Sequence, residues 1–182
     1  MDKLHAQPVH RFFHSFCIRP NVSFENQSEG EVVVLVLRAH PVTQIPWILN
    51  VVILFILLFV ANLVFAGSLG GMQVFFLNLF LIIFILSYAW LNILVYVFNV
   101  GILTNEKVVD IDFSAVIYKE TTEARLDKVE DVSSKAAGYF ASLFNFGDVF
   151  VQTAGTEANL EFAKVPRPSE VVNFINELTE AL

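Results

Sequence analysis

Between Ile45 and Leu103 the chain carries no Asp, Glu, Lys, Arg or His. Helices of a globular fold keep one solvated face for charge, so an uncharged stretch of roughly sixty positions predicts membrane-spanning helices. Ile45 to Ala66 makes a helix of about 33 Å at about 1.5 Å per residue, matching a hydrocarbon core of about 30 Å. Gly67, Gly70 and Gly71 then favour a turn. Val74 to Phe98 forms a second span, which at about 37 Å is long enough to tilt. The pattern predicts a transmembrane helical hairpin over 45–100, with spans at 45–66 and 74–98, whose flanking segments leave on the same side.

The flanks predict which side. The turn between the spans is uncharged, whereas Arg38 precedes the first span and Lys107 follows the second, with Arg11 and Arg19 further out. Cationic flanks stay cytoplasmic, so the expectation is an integral, multi-pass protein of the cell (inner) membrane with both termini cytoplasmic. Trp47, Tyr88, Trp90 and Tyr96 suit amphipathic rings near that interface. Met1 to Gly30 holds no apolar core of the kind a cleavable signal needs, so the first span is expected to direct insertion.

Before the hairpin, Val9, Phe12, Phe13, Phe16 and Cys17 recur with helical spacing, and His10, Arg11, His14 and Ser15 fall between them. This predicts a short amphipathic helix within the segment 1–30, stopped by Pro20, that lies on a membrane surface or packs on the soluble domain. Candidate membrane-surface contacts are Arg11, Phe12, Phe13, Phe16, Arg19, Arg38 and Trp47; Arg38 also reads as a topological anchor. His10 and His14 have metal-ligand spacing but no third ligand nearby, so a solvated face is the reading. Val32 to Leu37 predicts a buried strand, which Pro41 and Pro46 separate from the helix in the membrane-entry segment 31–44.

The polar residues of the spans are amides. Asn78, Asn92 and Asn99 are separated by multiples of the heptad and so lie on nearly one helix face, with Asn50 and Asn62 in the first span. They read as hydrogen-bonding contacts to the other helix or to a second copy in a homo-oligomer. A polar transport path is the alternative, and it needs an oligomer.

After the hairpin the period shortens. Val100 to Thr104, Val108 to Phe113, Ala115 to Glu120, Asp148 to Thr153 and Ala158 to Lys164 predict strands, and Leu126, Val129 and Val132 an edge with one buried face. Lys107 is expected on the membrane-proximal edge. Val171, Val172, Phe174, Ile175, Leu178 and Leu182 then mark a closing amphipathic helix, which suggests a small barrel plugged by a helix over 101–182. Within Tyr139 to Phe146, an apolar short helix is expected to pack on the barrel. If exposed, Tyr139, Phe140 and Phe144 become a candidate partner patch.

The succession LTNEKVVDID, ARLDKVEDVS, GYFASLFNFGDVFVQTAG and VPRPSEVVNFI resembles the membrane-anchored bacterial pleckstrin-homology (PH) domain family over 31–182. The resemblance implies an α+β membrane protein: a strand and a two-helix transmembrane hairpin, followed by a PH-like antiparallel β-barrel capped by a C-terminal helix. It implies no catalytic residues.

Charge narrows the function. The 182 residues are 55% hydrophobic with a net charge of −7, and Glu106 to Leu182 alone holds 14 Asp or Glu against 7 Lys or Arg. So acidic a domain argues against phosphoinositide binding by fold analogy and against nucleic-acid partners. Asp110 and Asp112 share one strand face, with a solvated face as the default reading. The segment after the hairpin has no His or Cys, which excludes Ser/His and Cys/His nucleophile systems there. No cofactor, catalytic or metal residues are expected, and membrane lipids act as solvent. The leading expectation is a membrane adaptor or scaffold presenting a cytoplasmic domain to an unidentified protein or to itself. A lipid-sensing module and an oligomeric small transporter or channel are the alternatives.

Overall fold

The computed structural model describes residues 15–20, 24, 27, 28, 30–65, 67–114, 118–154 and 159–180. Two sheets share one core. The first runs β1 (Phe16–Ile18), β2 (Val33–Leu37), β3 (Val100–Thr104), β4 (Lys107–Ser114) and β5 (Tyr118–Arg125), in that order and antiparallel throughout. Between β2 and β3 the chain makes two long helices, α1 (Ile45–Val64) and α2 (Gly71–Phe98). β2 and β3 are direct neighbours, with Val36 opposite Ile102 and Leu37 opposite Gly101. The helical hairpin therefore springs from between two hydrogen-bonded strands, with no free linker on the α2 side.

A 3-10 turn at Leu126–Lys128, with Leu126 fully buried, carries the chain into the second sheet. That sheet orders β6 (Val129–Lys135), β7 (Phe146–Thr153) and β8 (Leu160–Pro166), with α3 (Tyr139–Phe144) joining β6 to β7. The closing helix α4 (Pro168–Glu180) packs on β6 and β7. Leu35, Leu37, Leu103 and Val108 of the first sheet meet Val149, Val151 and Leu160 of the second and Val171, Phe174 and Ile175 of α4. Strand alternation turns Ile102 and Val109 to the opposite face, and the register irregularity between Val33 and Leu35 brings Val33 there too, forming a smaller cluster with Phe24.

Several expectations need correction. No barrel is closed: β5 and β6 are not paired, because the Leu126 turn breaks the ladder between the two sheets. Phe16 and Cys17 belong to a strand rather than a helix. Their backbone pairs with β2, which covers that edge, and Phe16 packs on the core with its ring 6.3 Å from Phe174. The rest of the expected helix, with Arg11, Phe12 and Phe13, lies outside the described residues. The domain also draws in β1 and β2 from before the hairpin, so its sheet is not confined to 101–182. Val129–Lys135 is a full strand, and the strand expected from Ala115 is Tyr118–Arg125, a polar edge strand in which Ala124 is buried.

Lys107 is the remaining correction. β3 leaves α2 at Val100 and Lys107 follows the turn beyond its other end, so Lys107 sits at the end of the domain distal from the helices. There it pairs with Glu123 at 3.2 Å and Glu31 at 3.7 Å.

α1 and α2 are each long and apolar enough to cross a membrane, and they pack on each other along an otherwise uncovered apolar surface.

Candidate functional site

The foot of the helix pair meets the sheets around a cavity of about 360 Å³. Its walls come from the entry to α1 (Arg38, Thr43, Gln44, Trp47), the last turns of α2 (Asn92, Tyr96, Asn99), Gly101 of β3, Asp110 and Asp112 of β4, and Glu161, Phe162 and Lys164 of β8.

Local bonding fixes each wall. The His40 N–H donates to Lys164 O at 2.7 Å, and His40 Nδ1 accepts the Val42 N–H at 3.2 Å, which starts the 3-10 turn Pro41–Gln44 leading into α1. Burial lowers the His40 pKa, which favours the neutral ring this bond needs. Trp47 Nε1 donates to Gln44 Oε1 at 2.8 Å. At the other wall, Asn99 ends α2 and its Oδ1 accepts the Phe113 N–H at 2.7 Å, tying the helix end to β4. Gly101 allows close approach: a Cβ there would sit 2.5 Å from the Phe162 ring.

The electrostatics of this wall are unfavourable in a specific way. Asp112 lies directly opposite Glu120 across the β4–β5 ladder, an arrangement that costs stability when both are ionised. Burial, then Asp112, Glu161 and Glu120, push the Asp110 carboxyl up to about 7. Asp112 is raised by burial and by Glu120. Arg38 and Lys164 line the same cavity, so its rim presents both signs. Among the described residues no group of three or more His, Cys, Asp or Glu is placed to hold a metal ion.

A second feature lies beside it. Tyr139, Phe140 and Leu143 of α3 are 78%, 67% and 61% exposed, and Phe144 is 42% exposed. The expected packing of this helix on the sheet holds for Ala141 alone among its buried residues.

The candidate residues thus separate. Arg38 and Trp47 line the foot cavity, whereas Phe16 is a core residue whose ring lies 5.6 Å from the Arg167 guanidinium. Arg19 is exposed just past β1. Asn78 bonds across the helix pair to Asn62. Asn92 donates within α2 to Tyr88 O at 2.8 Å while lining the cavity, and Asn99 bonds to β4. Sequence reasoning found Asp110 and Asp112 but not Glu161 or the cavity. The Asp-x-Asp alternation was the available signal; Glu161 joins only through the packing of β8.

A family model described as bacterial PH domain matches residues 42–179, spanning both the helix pair and most of the two-sheet domain. No curated protein and no solved structure matches the chain.

Proposed function

Because the chain belongs to the bacterial PH domain family, we propose that it is a membrane-anchored interaction module without enzymatic activity, working as an adaptor. In this reading α1 and α2 span the cell membrane as a hairpin, both termini are cytoplasmic, and the domain offers its surface to a protein partner or to a second copy. The observation that carries it is the splicing of the hairpin between β2 and β3. A domain attached through neighbouring strands is held at a fixed height and orientation over the bilayer, which suits presentation. Glu106, Glu130 and Asp131 are exposed on the distal side, the side turned to the cytoplasm here, and favour a partner with a basic face.

The test is a photo-crosslinking residue at Glu130 in intact membranes. The reading expects a discrete adduct that is lost when Asp127 and Asp131 are changed to Lys. Absence of any adduct at the distal end would count against it.

The foot cavity favours a second reading, lipid sensing. Carboxylates and cations on one juxtamembrane rim suit a zwitterionic headgroup carrying an ammonium and a phosphate. Native mass spectrometry of the full chain should then show retained phosphatidylethanolamine that is lost in a variant combining D110N and E161Q; equal retention by both would remove this reading.

A further inference from the structure

Helix α3 has a position that neither reading uses. It joins β6 to β7, and the strand ends around it are fixed by pairing: Lys135 opposite Asp148, and Phe146 opposite Pro166. The chain's approach to the bilayer lies at this same end. The His40 ring stacks on Phe146 with centroids 5.5 Å apart, and the His40 N–H reaches Lys164 O. Pro41 shares a shallow cavity with Phe144 and Asn145, and four residues later α1 begins at Ile45. So α3 sits beside the point where the first long helix starts.

Its composition matches that place. From Ala136 to Phe146 the chain carries no charge, although the domain around it is strongly acidic. Exposed cations stand beside it, Lys135 just before it and Lys164 and Arg167 at the adjoining end of β8. The acidic groups there are half-buried: Asp148, opposite Lys135 and accepting the Lys164 N–H at 2.7 Å, and Glu170, 3.8 Å from Arg167. An apolar cluster rimmed by cations is the pattern of a segment that lies in a headgroup layer, where acyl chains receive the rings and anionic phosphates the cations.

We propose that α3 is a lipid-facing foot, with Tyr139, Phe140, Leu143 and Phe144 seated in the leaflet from which α1 starts. The occupant of this face is an anionic phospholipid bilayer. The inference rests on the reading that α1 and α2 span that bilayer, and it gives the domain an additional contact that fixes its tilt.

The full chain, reconstituted in nanodiscs containing anionic phospholipid, tests it through single cysteines carrying a solvatochromic fluorophore. Cys17 is first changed to Ala. Phe140→Cys reports the foot and Leu143→Cys repeats it, Ile53→Cys reports mid-α1, and Asn105→Cys the distal turn. Expected are blue-shifted emission at Phe140 and Leu143 that headgroup-borne spin labels quench, quenching of the Ile53 probe by deep acyl-chain labels, and water-like emission at Asn105. A water-like or unquenched signal at both α3 positions, with Ile53 still quenched, overturns the foot alone and returns the patch to a protein partner. A water-like Ile53 probe overturns the spanning reading and the foot with it.

Discussion

Asn62 and Asn78 form a reciprocal amide pair across the two long helices, each Nδ2 donating to the other's Oδ1 at 2.7 and 2.8 Å. Each amide also donates to a carbonyl of its own helix, Leu58 O or Val74 O, so both N–H bonds of each group are used. Replacing either residue by Leu leaves the other amide without its partner and should cost about 1–2 kcal/mol. Replacing both should recover part of that loss, since no orphaned polar group remains. A double-mutant cycle on reversible unfolding in detergent measures the coupling.

Asp110 should make stability fall with rising pH. Its native pKa of about 7 lies above the ordinary 3.8, so the folded state holds a proton that the unfolded state has lost between those values. Stability is therefore highest at the acid end of that window, declines towards pH 7 and is flat above it, as far as this group decides. Asp110→Asn removes this group's share of the dependence and leaves that of Asp112, whose carboxyl is raised as well. After discounting for the group's partial exposure, the variant should exceed the parent at pH 8 by about 1 kcal/mol, with the gain shrinking towards pH 5. Denaturant midpoints at the two pH values read it.

Gly101 should resist substitution. A methyl group added there meets the Phe162 ring at 2.5 Å, and Phe162 is itself buried. Gly101→Ala should cost about 1–3 kcal/mol through overpacking, and combining it with Phe162→Leu should restore part of it. Thermal unfolding of the single and double variants separates the clash from loss of the ring.

Phe16→Ala tests the N-terminal strand. Phe16 packs on the main core and against Phe174 and Arg167, so its truncation should destabilise the domain by about 2–4 kcal/mol and expose the segment before β2 to protease. Phe140→Ala, on an exposed face, should change domain stability by less than about 0.5 kcal/mol.

Features written as local periodicity were legible in the sequence: the two long apolar helices, β3, β4, β7 and β8, and the final amphipathic helix. Phe16 was misread because the stripe that includes it has helical spacing, while the force that orders it is a ladder to β2, a partner further along the chain. The second half of β5, beyond the expected end at Glu120, hid because TTEAR lacks apolar alternation; as an edge strand it needs one buried position, Ala124. The foot cavity was invisible for the same physical reason. Asp110 can be found beside Asp112 by alternation, but Arg38, Asn92 and Glu161 come together only when three distant segments pack. The exposure of Tyr139 and Phe140 contradicts the ordinary tendency of aromatic rings to bury, and only the position of α3 at the end of its sheet accounts for it.

The central claim is that α1 and α2 cross a membrane and hold the domain on its cytoplasmic side. Labelling with a membrane-impermeant maleimide tests it most directly, in intact cells and after lysis, with Ser68→Cys in the inter-helix turn and Asn105→Cys in the distal turn. Both are placed in a Cys17→Ala background. The account predicts that Ser68→Cys is labelled in intact spheroplasts, whereas Asn105→Cys is labelled after lysis alone. Equal labelling of the two positions from one side would contradict it, because a hairpin that spans the bilayer must separate them.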